Sequence, residues 1–253
     1  MDQDYKIKNY QSDKMKYIYL SYSLDEDAPV YKGLKKPSIN HKSTISEDGY
    51  NTYLLCVENH SGTHVDAPGH FLEDGKSISD YDLEKLVFNK VLILEIPQTT
   101  GNEIGLPDFL NILENHETLN SKDENKYKWE SVDFILIITG FFKYRQKNLE
   151  KYLTENPGIN PEVINFLREN FPSMRAIGID SVSISCFSNP NNATKAHKTA
   201  FIKKNNYGEP LLLVEDMDLS SLSAKDNIKQ LFMIPWQVKG IDSAPCTVMV
   251  QLN

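Results

Sequence analysis

The 253-residue chain is 40% hydrophobic with a formal net charge of −8, enough apolar content for a substantial core. Its lysines are scattered among acids, so no basic face is available for a phosphate backbone or an anionic membrane surface, and neither nucleic acid nor membrane is an expected partner. Cys56, Cys186 and Cys246 form no paired-thiol motif, and the opening "MDQDYKIKNYQSDKMKY" is polar; together these predict a reducing, cytoplasmic setting.

Taken in chain order, short runs rich in β-branched and aromatic residues predict strands at 17–24 (YIYLSYSL) and 50–59 (YNTYLLCVEN). Cys56 falls in the second run and is expected in the core. A further strand is predicted at 90–96 (KVLILEI), followed by a helix over 107–117 with Pro107 near its start and Phe109, Leu110 and Leu113 on one face. After a solvated polar insertion at 120–128 comes a strand at 133–141 (DFILIITGF). Its apolar stretch is about half of the roughly 20 residues that a membrane helix needs. Asn160 as N-cap, Pro161 at the first position and an apolar set at Val163, Ile164 and Leu167 predict a helix over 160–171. Strands follow at 174–180, 210–217, 231–238 and 246–252, with polar loops expected at 187–198 and 202–208. The 90–96 strand and the run FILIITG are apolar throughout, as in strands covered on both faces. The expected fold is α/β: one domain over 1–253 with a mixed central β-sheet, or barrel-like sheet, flanked by helices.

Three of the six histidines stand within the twelve residues "HSGTHVDAPGHF" at 60–71. His60 and His64 have helical spacing, but Gly62, Pro68 and Gly69 argue for a strand end passing into a shaped loop. In an extended stretch His64 and Asp66 project to the same side, so His60, His64 and Asp66 converge as a mixed nitrogen and oxygen ligand set. Such a set suits zinc, and also manganese or iron(II). His70 follows the turn and could be a fourth ligand or a base beside the metal; because imidazole titrates near neutrality, the base is preferred. His41 and His116 stand alone and read as ordinary residues. Glu215 follows an apolar strand, at the end where sites gather. The aromatics Phe71, Phe141, Phe142, Tyr144 and Trp236 are candidates for a pocket wall.

The run His60, Gly62, Thr63, His64, Asp66, Ala67, Pro68, His70, Phe71 resembles the motif of the cyclase family of metal-dependent hydrolases, which includes bacterial kynurenine formamidases and isatin hydrolases. Further similar stretches follow in order, among them "TGFFKY", "AIGIDSVSI", "AHKTAF", "LLLVEDMDL" and "IPWQVKGIDSAPCTVMV". The resemblance implies a swivelling β/β/α-like fold. It also implies one metal on His60, His64 and Asp66, with Asp66 bridging to a second held by His197 and Glu215, and His70 as catalytic acid/base. The implied activity is metal-dependent cleavage of an amide C–N bond, with an N-formyl aryl amine the first substrate expectation and a cyclic amide of the isatin type the alternative. A non-catalytic protein holding a small ligand on the same metal is the rival reading. Zn²⁺ is the first expectation for one or two ions, Mn²⁺ the second, and a homodimer or higher homo-oligomer is implied. Tyr19 and Ser185 stand where the family commonly has aspartates.

Overall fold

The computed structural model describes residues 16–99, 101–116, 129–205 and 207–253. The insertion expected at 120–128 lies outside these residues, and 202–208 lies partly outside them. The chain runs through β1 (Lys16–Tyr19), β2 (Ser38–Ser43), the single turn α1 (Ile45–Asp48), β3 (Thr52–Cys56), β4 (His64–Asp66), β5 (Val87–Phe88), β6 (Val91–Glu95) and β7 (Glu103–Ile104). It continues with α2 (Leu106–Glu114), β8 (Phe134–Ile138), α3 (Phe142–Lys147), α4 (Leu149–Thr154), β9 (Gly158–Ile159) and α5 (Pro161–Asn170). The last elements are β10 (Ala176–Ile179), α6 (Pro190–Phe201), β11 (Leu212–Glu215), β12 (Ile228–Pro235) and β13 (Ser243–Leu252).

Nine of the described strands form one mixed sheet, ordered β5-β12-β13-β4-β11-β10-β8-β6, with β1 paired on β13. Within it β6, β8, β10 and β11 are parallel neighbours, whereas β4 runs antiparallel to β11 and β13 on either side. The two ends of that order, β5 and β6, are consecutive in the chain, so the sheet curls into a nearly closed barrel. Asp133 fastens the seam by accepting from the backbone amides of Asn89 and Lys90 at 2.9 and 3.0 Å.

Alternation explains the continuous apolar strands. On β6 and β8, Val91, Ile93, Phe134 and Leu136 join one core cluster; Leu92, Leu94, Ile135 and Ile137 face the opposite way into a second cluster with residues of α2, α5 and α6. Both faces are therefore dry, as the sequence pattern requires. At the start of α5 the Asn160 side chain accepts from the Glu162 amide at 2.9 Å, and the helix buries Val163, Ile164 and Leu167. On α2 the buried residues are Phe109 and Leu113.

Two expectations are corrected. Residues 187–198 are not a loop: from Pro190 they form α6, which buries Ala196, His197, Ala200 and Phe201. The helix is capped by Asn189 and started by Pro190, a signal hidden among the polar residues Asn191, Asn192, Thr194 and Lys195. Cys56 is exposed, because β3 pairs with β2 in a separate two-stranded sheet instead of joining the barrel. Among the described residues no helix is long and apolar enough to cross a membrane.

Candidate metal centre

The site is built on β4, the short strand wedged between β11 and β13. Its register sets Glu215 of β11 opposite His64, and Pro245 of β13 on the other flank. Just before β4, Gly62 takes φ +63°, a conformation that favours glycine, and its carbonyl meets His64 Nδ1 at 2.8 Å. That bond makes Nδ1 the protonated nitrogen and leaves Nε2 as the free electron pair. After β4, Pro68–His70 form one 3₁₀ turn, which folds the His70 ring back to 4.3 Å from that of His60, centroid to centroid.

His197 arrives from α6, its Nδ1 3.0 Å from the Ala193 carbonyl, so its Nε2 is likewise left for the centre. There it stands 3.3 Å from Glu215 Oε1 and 3.9 Å from Asp66 Oδ2. His64 Nε2 lies 3.4 Å from Glu215 Oε2 and 3.6 Å from Asp66 Oδ1. His60 Nδ1 approaches Asp66 Oδ1 at 3.1 Å without hydrogen-bonding alignment, and both His64 Nε2 and Asp66 Oδ1 are buried with no hydrogen-bond partner. Donor atoms of His60, His64 and Asp66 lie within 4.8 Å of one another, as do those of Asp66, His197 and Glu215; Asp66 belongs to both groups.

Two adjacent buried carboxylates are expensive unless cations neutralise them. Burial alone would raise both acids, yet His197 and His64 hold Glu215 well below the usual carboxylate range, and His60 and His64 hold Asp66 low. The converse acts on the rings: burial works to lower His64, but Asp66 and Glu215 carry it up to about 9, and Glu215 likewise raises His197 against its burial. The centre is thus a concentrated negative potential lined by orphaned lone pairs, which a divalent cation fits.

His70 stands beside this cluster, with its donor atom within 4.8 Å of those of His60 and Asp242. Its Nδ1 lies 2.9 Å from Asp242 Oδ2, and Asp242 itself is anchored by Asn59 Nδ2 at 3.3 Å. Burial, aided by His60 and His197 against Asp66, lowers the His70 pKa. Sequence reasoning did not single out Asp242: it lies in the stretch IPWQVKGIDSAPCTVMV, 172 positions from its partner.

Other missed residues support Glu215. Ser183 Oγ and the Ile184 amide donate to its Oε1 at 3.0 and 2.7 Å. The next residue, Asp216, adopts φ +52° and is fixed by a fork from Arg145, Nε at 2.8 Å and Nη2 at 2.9 Å, and by Tyr152 Oη at 2.6 Å. Thr63 Oγ1 donates to the Asp216 carbonyl at 2.5 Å, tying the residue before His64 to the residue after Glu215.

The centre opens into a cavity of about 430 Å³ rimmed by Tyr31, Leu34, Phe71 and Ser185. Of the aromatic wall candidates only Phe71 lines it; Phe141 is buried among Tyr144, Tyr152 and Val182, and Trp236 is exposed beyond β12. Ser185 meets Ser183 Oγ at 3.0 Å, whereas Tyr19 is exposed on β1. His41 stacks on Tyr53 and His116 bonds the Ile93 carbonyl, both away from the centre.

Residues 18–185 match the model of the Cyclase family. A kynurenine formamidase of Geobacillus thermodenitrificans is 30% identical over 170 residues, covering 66% of this chain and 69% of that protein. A kynurenine formamidase of Bacillus anthracis is 23% identical over 93% of this chain and 97% of its own length. The fold is similar to that of isatin hydrolase A from Labrenzia aggregata, with a TM-score of 0.72 and 20% identity over 94% of this chain and 93% of that one. By the match over residues 18–185, which covers β2 to β10 together with His60, His64, Asp66 and His70, the chain belongs to the Cyclase family.

Proposed function

We propose that the protein is a divalent-metal-dependent hydrolase of amide C–N bonds in small molecules, with N-formyl aryl amines as its substrate class. The observation that carries this reading is the pair of three-donor groups sharing Asp66, with two buried donor atoms unpaired. The formamidase relatives support the substrate class.

In this reading His60, His64 and Asp66 would hold one ion and Asp66, His197 and Glu215 a second; the donor set suits zinc first and manganese next. When bound, such a cation supplies Lewis acidity toward a carbonyl oxygen and lowers the pKa of water from about 15.7 to about 7. The chain's own residues do the rest. Asp242 fixes the His70 ring through Nδ1, which presents Nε2 for proton transfer. The lowered pKa keeps that nitrogen unprotonated near neutrality, ready to accept a proton from the nucleophile and return it to the departing amine.

The test is metal analysis of the purified protein followed by hydrolysis assays with formanilide and isatin, with and without chelator. Chelator-sensitive turnover of formanilide supports the reading, and turnover of isatin alone moves the substrate to cyclic amides. Stoichiometric metal with no turnover of any small amide would make the chain a metal-dependent binding protein.

The assembly belongs to the same proposal: a cytosolic homodimer, supported by three free thiols and by the β2–β3 hairpin. On one face of that hairpin Leu55 pairs with Ile39, and Tyr53 with His41, and these apolar side chains are uncovered.

A further inference from the structure

Behind the metal centre lies a larger cavity of about 660 Å³, and Phe71 and Pro68 belong to its wall. Phe71 also borders the cavity that holds the imidazoles. Its ring stacks on His197 at 4.8 Å, meets His70 edge-on at 4.5 Å and reaches toward Phe201 at 6.3 Å. One phenyl ring therefore partitions the two spaces.

The segment around it is a single knot. Leu72 donates to the Pro68 carbonyl at 3.0 Å, Gly69 to that of Lys76 at 3.0 Å and Gly75 to that of Leu72 at 2.9 Å. A side chain at Gly75 would collide with the Pro68 and Gly69 backbone, so the turn over 72–76 packs directly on the turn that carries His70. The inner surface of this knot presents the proton-transfer group; its outer surface is cavity wall.

The outer cavity has the chemistry of a ligand site. Its floor is apolar, formed by Phe71, Leu72, Phe201 and Leu212 with Tyr81 at the side, and its volume is in the usual range for small-molecule pockets. Four cations from separate segments reach its walls, Lys76, Lys85, Arg175 and Lys203, against three acids, Glu73, Asp74 and Glu209. Lys85 and Lys203 have no ion-pair partner among the described residues. Arg175 is already committed to Asp133 and to the carbonyls of Glu84, Lys85 and Val87.

We propose that this cavity is a second small-molecule site, for an aromatic carboxylate, and that the knot of residues 68–76 couples its occupancy to His70. The ring lies on Phe71, Leu72 and Phe201, and the carboxylate faces Lys85 and Lys203. Binding does not depend on the amidohydrolase reading; only the kinetic consequence does.

Titration calorimetry of 2-naphthoate against metal-loaded and metal-stripped protein tests the site, with 2-naphthylmethylamine as a cationic counterpart of the same shape. Expected is one carboxylate bound per chain in both forms, at least tenfold tighter than the amine. Binding should weaken at least tenfold in Leu72→Trp, which fills the floor, and several-fold in Lys85→Ala/Lys203→Ala, a surface variant that keeps the test decisive if the first misfolds. Absence of binding, loss of binding on metal removal, equal binding of the amine, or indifference to both variants each overturns the site. Where formanilide is hydrolysed, saturating naphthoate should change its kcat at least twofold at saturating substrate. A purely competitive effect, or none, overturns the coupling. A chain that binds naphthoate as expected but hydrolyses no amide retains the site and refutes the hydrolase instead.

Discussion

At the scale of single residues, the proposed function separates metal-holding groups from a proton-handling one. His64→Ala and Asp66→Asn remove donors that converge on one point, and both should abolish metal binding and activity together, read by metal analysis beside a formanilide assay. His70→Ala should keep the metal while activity falls by roughly a hundredfold to ten-thousandfold. Asp242→Asn leaves the ring in place but loses the charge that fixes its tautomer, and should cost about ten- to a hundredfold in kcat with metal content unchanged. A drop in metal content in Asp242→Asn would instead make Asp242 part of a metal site, as its grouping with His60 and His70 allows. The first donor group was legible in the sequence because His60, His64 and Asp66 are contiguous and their spacing encodes a strand end. Glu215 had a local signal as the acid that ends an apolar strand, whereas His197 was reachable only through family resemblance; β11 and α6 bring both to β4 from more than a hundred positions away. Asp242 lies in a stretch that resembles the family, but nothing local marked it as the partner of His70.

At the scale of elements, what could be read depended on whether local chemistry and tertiary burial agreed. The helix over Pro161–Asn170 shows cap, proline and apolar face together, and the structure reproduces all three. Removing the cap in Asn160→Ala should cost about 1 kcal/mol of unfolding free energy in a denaturant titration, with activity retained. The eight predicted strands all exist: β6, β8, β10 and β11 are covered on both sides, whereas β1 and β3 form with most of their residues exposed. The helix that carries His197 escaped notice. Its buried face is two alanines, a histidine and a phenylalanine, too small and too polar to stand out among asparagines and lysines. β3 misled in the opposite direction: its apolar residues imply burial, but none of the described residues covers the face they form. Periodicity reports that a face is apolar; it does not report which chain covers it.

At the scale of the whole molecule, the centre and the hairpin both show surfaces that the described chain leaves incomplete. In metal-free protein His64 titrates near 9, above its usual 6.5. A raised histidine contributes stability that is complete below about 6.5 and is lost as pH rises through about 9. The metal-free melting temperature should therefore fall across that window. Metal binding expels those protons, so the stabilisation by added zinc or manganese should grow over the same interval, measured as the difference in melting temperature with and without metal. The hairpin poses the second question. A two-stranded sheet is marginal on its own, and this one exposes Ile39, Tyr53 and Leu55 on one face, with Ile45 and Tyr50 nearby. A second, separate set of exposed apolar side chains, Ile234, Trp236 and Val238 with Tyr17 and Tyr19, gives a two-fold partner something to cover in return. β3 also ends four residues before His60, so a partner seated there borders the mouth of the metal cavity. Leu55→Asp places a charge in the centre of the apolar face while costing the isolated chain little, because the residue is exposed. Light scattering after size exclusion should show two chains per particle for the native protein and one for Leu55→Asp, with the far-ultraviolet spectrum unchanged. A native protein that elutes as a single chain at high micromolar concentration would refute the dimer and leave the hairpin's covering surface to a different partner.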